Sequence, residues 1–144
     1  MFKVGIVGCG GIGNAHKNAW MQIPGVSVEA VCDIVEDRAR AMRESVGGTC
    51  RYYTDAGELP EDLDAVSVVT PPYAHFAIVR DLLRRGYNVF CEKPLTMDPE
   101  QCRALDKLAA EKGCELGVGF KMRFEPIFQQ ARRYVPLVGR INSI

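Results

Sequence analysis

Gly8-Cys9-Gly10-Gly11-Ile12-Gly13 has the spacing G-x-G-x-x-G and directly follows a short apolar run at residues 2–7. At a strand-to-helix turn, Gly8 permits the tight bend and Gly10 lets the backbone approach a pyrophosphate. Gly13 lets helix and strand pack closely. The whole loop, Cys9, Gly11 and Ile12 included, would then offer a phosphate the unpaired N–H groups and positive end of a helix. Asp33 lies 20 residues beyond Gly13 and closes the second apolar run. A carboxylate there accepts hydrogen bonds from ribose hydroxyls. The bland readings are a glycine-rich turn with no ligand and an acid that merely ends a strand or caps a helix. Residues 34–36 are Ile-Val-Glu, with no cation to cradle a 2′-phosphate that Asp33 would also repel. The expected dinucleotide is therefore NAD rather than NADP.

Two later segments also combine rigid backbone with reactive side chains. Thr70-Pro71-Pro72-Tyr73-Ala74-His75 follows a third apolar run, and its prolines fix their own φ and restrict the residue before them. Such a corner could hold backbone groups and the Thr70 hydroxyl against a cofactor, or could be a plain helix-entry turn. Glu92-Lys93-Pro94 follows a fourth run. A lysine between a strand end and a proline is placed at the sheet rim, although a solvated surface position is the commonest fate of lysine.

The elements that must position these residues alternate strand and helix. Strands are expected over residues 2–7, 26–33, 65–70, 88–91 and 115–119, with another beginning over 139–144. Helices are expected from about 11 to 21, 36 to 46, 98 to 112, and along the stripes Ile78-Val79-Leu82-Leu83 and Ile127-Phe128-Ala131-Val135. Asp98-Pro99-Glu100-Gln101 reads as an N-cap, a first-turn proline and a capping-box glutamine. Single helices between strands require crossovers, which implies an α/β fold with a doubly wound, mostly parallel sheet covered on both faces.

Composition excludes several function classes. The 18 basic and 18 acidic residues balance, so no cationic surplus points to nucleic acid. The apolar N-terminus is too short to span a bilayer and lacks the parts of a signal peptide. The six cysteines show no C-x-x-C and no histidine at metal-ligand spacing, so no metal site is expected. They read as reduced structural thiols of a cytoplasmic protein.

Taken together, the glycine loop, Thr70-Pro71-Pro72 with His75, Glu92-Lys93-Pro94 and Gly119-Phe120-Lys121-Met122-Arg123-Phe124-Glu125-Pro126 resemble the glucose–fructose oxidoreductase / inositol dehydrogenase / rhizopine-catabolism (Gfo/Idh/MocA) family. The resemblance implies a Rossmann-type cofactor domain over residues 1–120. Residues 121–144 would form a connecting helix and first strand leading into a largely missing α+β substrate domain, which in the family supplies a catalytic histidine. It implies Lys93 as catalytic residue, with a cis Lys93–Pro94 bond turning its side chain toward the nicotinamide. Glu92 would orient Lys93 or a cofactor ribose. His75 would lie near the cofactor, or else cap or pack a helix; His16 is read as structural. Arg123 would face the substrate side, with a surface ion pair as its rival. The implied activity is hydride transfer between nicotinamide and a secondary alcohol or ketone of a sugar or polyol, in a homo-oligomer when full length. The rival class is a noncatalytic NAD-binding redox sensor or regulatory module. A methyltransferase-like nucleoside binder would have no use for Lys93.

Overall fold

The computed structural model describes residues 1–140. In chain order its elements are β1 (Phe2–Val7), α1 (Gly11–Met21), β2 (Val26–Cys32), α2 (Glu36–Val46), β3 (Arg51–Tyr53), β4 (Ala65–Val68), α3 (Pro72–Arg84), β5 (Asn88–Cys91), α4 (Pro99–Lys112), β6 (Leu116–Val118) and α5 (Pro126–Tyr134). The strands form one parallel sheet in the order β3-β2-β1-β4-β5-β6, so the chain reverses its direction of travel between β1 and β4. Loops at the carboxyl ends of β1 and β4 diverge there and leave a crevice, the usual ligand position in open α/β sheets.

The expected doubly wound α/β class is what forms, with one added strand. β3 is Arg-Tyr-Tyr at the sheet edge, and it has no apolar run to announce it. The strand expected over 139–144 falls largely on residues 141–144, outside the described residues.

Two apolar clusters sandwich the sheet. Val66, Val68, Val89 and Cys91 pack with Val79, Leu82 and Leu83 of α3 and Leu105 and Ala109 of α4. On the other face Ile6, Val28 and Val31 pack with Ala39 and Met42 of α2. Strand alternation assigns these faces, and so Ser67 and Phe90 point toward α1 rather than toward α3. β2 carries an extra residue: Val4 pairs with Val28 but Gly5 with Ala30, which switches the facing side chains in mid-strand. Each fully buried Val or Leu stabilises the fold by about 1.5–3 kcal/mol.

Helix α4 starts as expected, with Pro99 in its first turn and the Asp98 carboxylate accepting the Glu100 N–H at 2.9 Å. The capping box with Gln101 does not form, because the Asp98 N–H donates to Thr96 Oγ1 at 3.2 Å instead. Helix α5 buries none of its residues, and every residue from 120 to 140 is exposed. No described helix is long and apolar enough to cross a membrane.

Candidate functional site

The three glycines of the loop do different work. Gly8 has φ +106°, and a side chain there would sit 2.8 Å from the Val69 carbonyl across the β1/β4 divide. At Gly13 an added carbon would strike the Gly8 carbonyl oxygen, which makes this glycine a packing requirement. Gly10 and Gly11 face open space, with nothing within 4 Å of an added carbon. Gly10 caps α1 without any side-chain hydrogen bond to the helix N-terminus. The N–H groups of Gly11, Ile12 and Gly13 have no acceptor earlier in the helix. That is an open cradle for an anion at the positive end of a helix dipole.

Cys9 belongs to the loop differently. Its N–H donates to Asp33 Oδ2 at 2.8 Å, and its thiol is buried against the Cys32 carbonyl. The Gly8 N–H is also used, donating to the Cys32 carbonyl at 2.8 Å, so the free donors lie beyond Cys9. Asp33 Oδ1 accepts the Val35 N–H at 2.9 Å, so the carboxylate is fixed at the end of β2 while each oxygen keeps a further lone pair. Ile34 beside it is 89% exposed.

Across the crevice, Pro71 caps α3 and Pro72 opens it. Thr70 Oγ1 is buried with no hydrogen-bond partner. A buried hydroxyl is normally paired, so an orphan at the carboxyl end of β4 suits a ligand atom. The open cradle and this hydroxyl both fit the dinucleotide implied by the motifs.

His75 belongs to the buried side of the site. It is fully buried, and its two ring nitrogens each lie 2.8 Å from a backbone carbonyl, Nδ1 from Pro94 and Nε2 from Thr70. The ring is thus packed inside, beside the Thr70 backbone rather than open to the crevice.

The Lys93–Pro94 peptide bond is cis. Lys93 is exposed, and among the described residues its ammonium makes no hydrogen bond or ion pair. Glu92 Oε2 accepts the Lys93 N–H at 3.1 Å. Its other oxygen meets His16 Nε2 at 3.1 Å, a contact absent from the sequence reading, which took His16 as structural. Gly119 belongs to this arrangement too, since a side chain there would come within 3.1 Å of the Glu92 carboxylate. A polar residue one turn past the loop was the only available signal for His16.

Arg123 lies in a short 3-10 turn, Lys121–Phe124, with its guanidinium 5.6 Å from the Phe120 ring centre. It makes no ion pair among the described residues. Phe120 separates two hollows. A groove of about 540 Å³ is bordered by Ile12, His16, Trp20, Phe90, Glu92 and Phe120. One of about 400 Å³ is lined by Lys93, Pro94, Thr96, Cys102, Val118 and Phe120.

Four of the six thiols are buried. Burial pushes Cys9, Cys32 and Cys91 up to about 12 and Cys50 up to about 11. No cluster of potential metal ligands occurs among the described residues.

The chain is similar in sequence and structure to known dehydrogenases. Inositol 2-dehydrogenase of Rhizobium meliloti is 34% identical over 143 residues, covering 99% of this chain and 42% of that enzyme. The scyllo-inositol 2-dehydrogenase (NAD(+)) of Bacillus subtilis is 32% identical, over 92% of this chain and 40% of that one. The crystal structure of scyllo-inositol dehydrogenase from Lactobacillus casei with bound NAD(H) and scyllo-inositol matches with a TM-score of 0.86 at 26% identity, covering 95% of this chain and 41% of that one. The chain thus spans about two fifths of the length of these relatives. The family described as "Oxidoreductase family, NAD-binding Rossmann fold" matches residues 2–120. On that match, the chain belongs to the GFO_IDH_MocA oxidoreductase family and carries its NAD-binding Rossmann fold.

Proposed function

We propose that this chain holds NAD for hydride transfer to or from a secondary alcohol or ketone of a sugar, polyol or related small molecule, within a protein of the relatives' length. The observation that carries the reading is the placement of Asp33 and Lys93 on opposite sides of the β1/β4 crevice, with the open Gly10–Gly11 cradle and the orphaned Thr70 hydroxyl between them. Asp33 binds the adenosine ribose. The loop N–H groups bind the pyrophosphate, and the Pro71-Pro72 corner holds Thr70 at the cofactor.

NAD, when bound, supplies the carbon that accepts or returns hydride. Lys93 does the proton work beside it. Its unpartnered ammonium donates to the substrate hydroxyl or carbonyl oxygen and stabilises the negative charge that develops there. Glu92 orients Lys93 through the backbone N–H it accepts. Arg123 and the surrounding turn face the substrate, and residues 121–144 lead into the part of the protein that completes the pocket. We place the whole protein in the cytoplasm as a homo-oligomer, acting on a small molecule and not on nucleic acid.

The test is direct. Trp20, the only tryptophan, borders the groove beside Ile12 and Glu92, so NADH binding is read as a change in its fluorescence and in titration calorimetry. Binding that NADPH does not match, and that Gly10→Val abolishes, supports the cofactor reading; no binding sinks it. A protein of the relatives' length that binds NAD but oxidises nothing on broad sugar and polyol panels would be a sensor instead.

A further inference from the structure

Building on the role proposed for Lys93, we infer that His16 and His75, the chain's only histidines, are positioning residues that hold its two neighbours from opposite faces of the sheet. His16 on α1 reaches Glu92, whose second oxygen accepts the Lys93 N–H. The His16 ring is itself placed. It lies 5.6 Å from the Phe90 ring, centre to centre, and its Nδ1 lies 3.5 Å from Ser67 Oγ, which also accepts the Trp20 N–H at 2.9 Å. His75 on α3 sits between the Pro94 and Thr70 carbonyls, each 2.8 Å from a ring nitrogen, where the turn after β5 meets the end of β4.

Lys93 needs such anchoring more than most residues would. Among the described residues its ammonium has no hydrogen-bond or ion-pair partner, so it is placed by the backbone at 93 and by whatever binds it. A catalytic group must be held to within about 0.5 Å of its productive position by surrounding contacts. Here the residue before it and the residue after it are each secured, from partners 76 and 19 positions away in sequence. Packing alone would not require this arrangement. Apolar side chains fill space equally well, yet both nitrogens of His75 and Nε2 of His16 are committed to one turn or its immediate support.

The test uses the whole chain, without and with ligand, as wild type, His16→Leu, His16→Gln and His75→Gln. In the ligand-free wild type the Lys93 amide has the order parameter of rigid backbone, about 0.85. In His16→Leu and His75→Gln it drops below about 0.6, the flexible range, while Ile6 and Leu105 keep their values. Calorimetry with NAD and with ADP-ribose, which lacks the nicotinamide, supplies a readout that general scaffolding would not move. ADP-ribose affinity stays within about twofold in both variants, as expected for a distant site. The ratio of NAD to ADP-ribose affinity falls toward one. His16→Gln, whose amide N–H donates to Glu92 in place of the imidazole, restores the wild-type values. If His75→Gln does not fold, the two His16 variants decide alone. A rigid Lys93 amide in His16→Leu overturns the inference, and so does a parallel loss of both affinities. Failure of the wild type to bind NAD would count against the proposed function, and the order parameters would still judge the two histidines.

Discussion

The Asp33 carboxylate accepts the Cys9 N–H at 2.8 Å and so ties the end of β2 to the glycine loop at the end of β1. The residue proposed to select the cofactor therefore also shapes the loop proposed to hold its phosphates. A charge-assisted hydrogen bond of this kind contributes about 1.5–3 kcal/mol. Asp33→Ser combined with Ile34→Arg should move preference toward NADP, by removing a repelling charge and adding a phosphate clamp at an exposed position. It should also lower ligand-free stability by about 1–2 kcal/mol, because the loop loses an anchor. Calorimetry with both dinucleotides and urea unfolding read the two effects separately. Unchanged preference would place discrimination elsewhere.

Gly10 and Gly13 should fail in opposite ways. Gly10→Val adds a side chain to open space, so the melting temperature should stay near wild type while NAD binding is lost. Gly13→Ala drives a carbon into the Gly8 carbonyl and should destabilise the fold by about 3 kcal/mol, at the upper end for overpacking. Thermal melts and NAD titrations of the two variants side by side decide this. Equal melting temperatures would contradict the packing role of Gly13.

In a protein of the relatives' length, Lys93→Ala should leave NAD affinity within a few-fold of wild type and lower turnover by about 10²–10⁴. Lys93→Arg should not restore activity, because a guanidinium stays charged and presents a different donor geometry. Near-normal turnover of Lys93→Ala would remove this lysine from the mechanism.

The buried thiols predict an alkaline limit to stability. Cys9, Cys32, Cys50 and Cys91 are held well above the ordinary value of 9.0 by burial, at about 11 to 12. A raised folded-state pKa means that above pH 9 the unfolded chain releases these protons while the folded chain still keeps them. The stability is intact below about pH 9 and declines as pH climbs toward 12, by about 1.4 kcal/mol per thiol at pH 10. Cys91→Val keeps the strand apolar and removes one such group. Urea unfolding should show it losing less stability between about pH 8 and 10 than wild type. An identical loss would mean Cys91 has no part in the alkaline decline.

The sequence by itself determined the backbone that makes a cofactor site. The glycine spacing, the acid closing β2, the proline corner and the alternation of apolar runs with helical stripes are local patterns. Local conformation follows from neighbouring residues, so five of the six strands and all five α-helices among the described residues lay where those patterns put them. β3 escaped because a three-residue Arg-Tyr-Tyr edge strand owes its pairing to β2 rather than to any periodicity of its own. The contacts of the histidines were decided only by tertiary structure. His16 meets Glu92 across 76 residues and His75 meets Pro94 across 19, and both depend on strand order, register and which face each helix covers. No short-range pattern encodes those quantities, because they are set by how the two faces of the sheet are buried. The same holds for the Asp33–Cys9 bond, which exists because β1 and β2 pair in parallel and bring their carboxyl ends together.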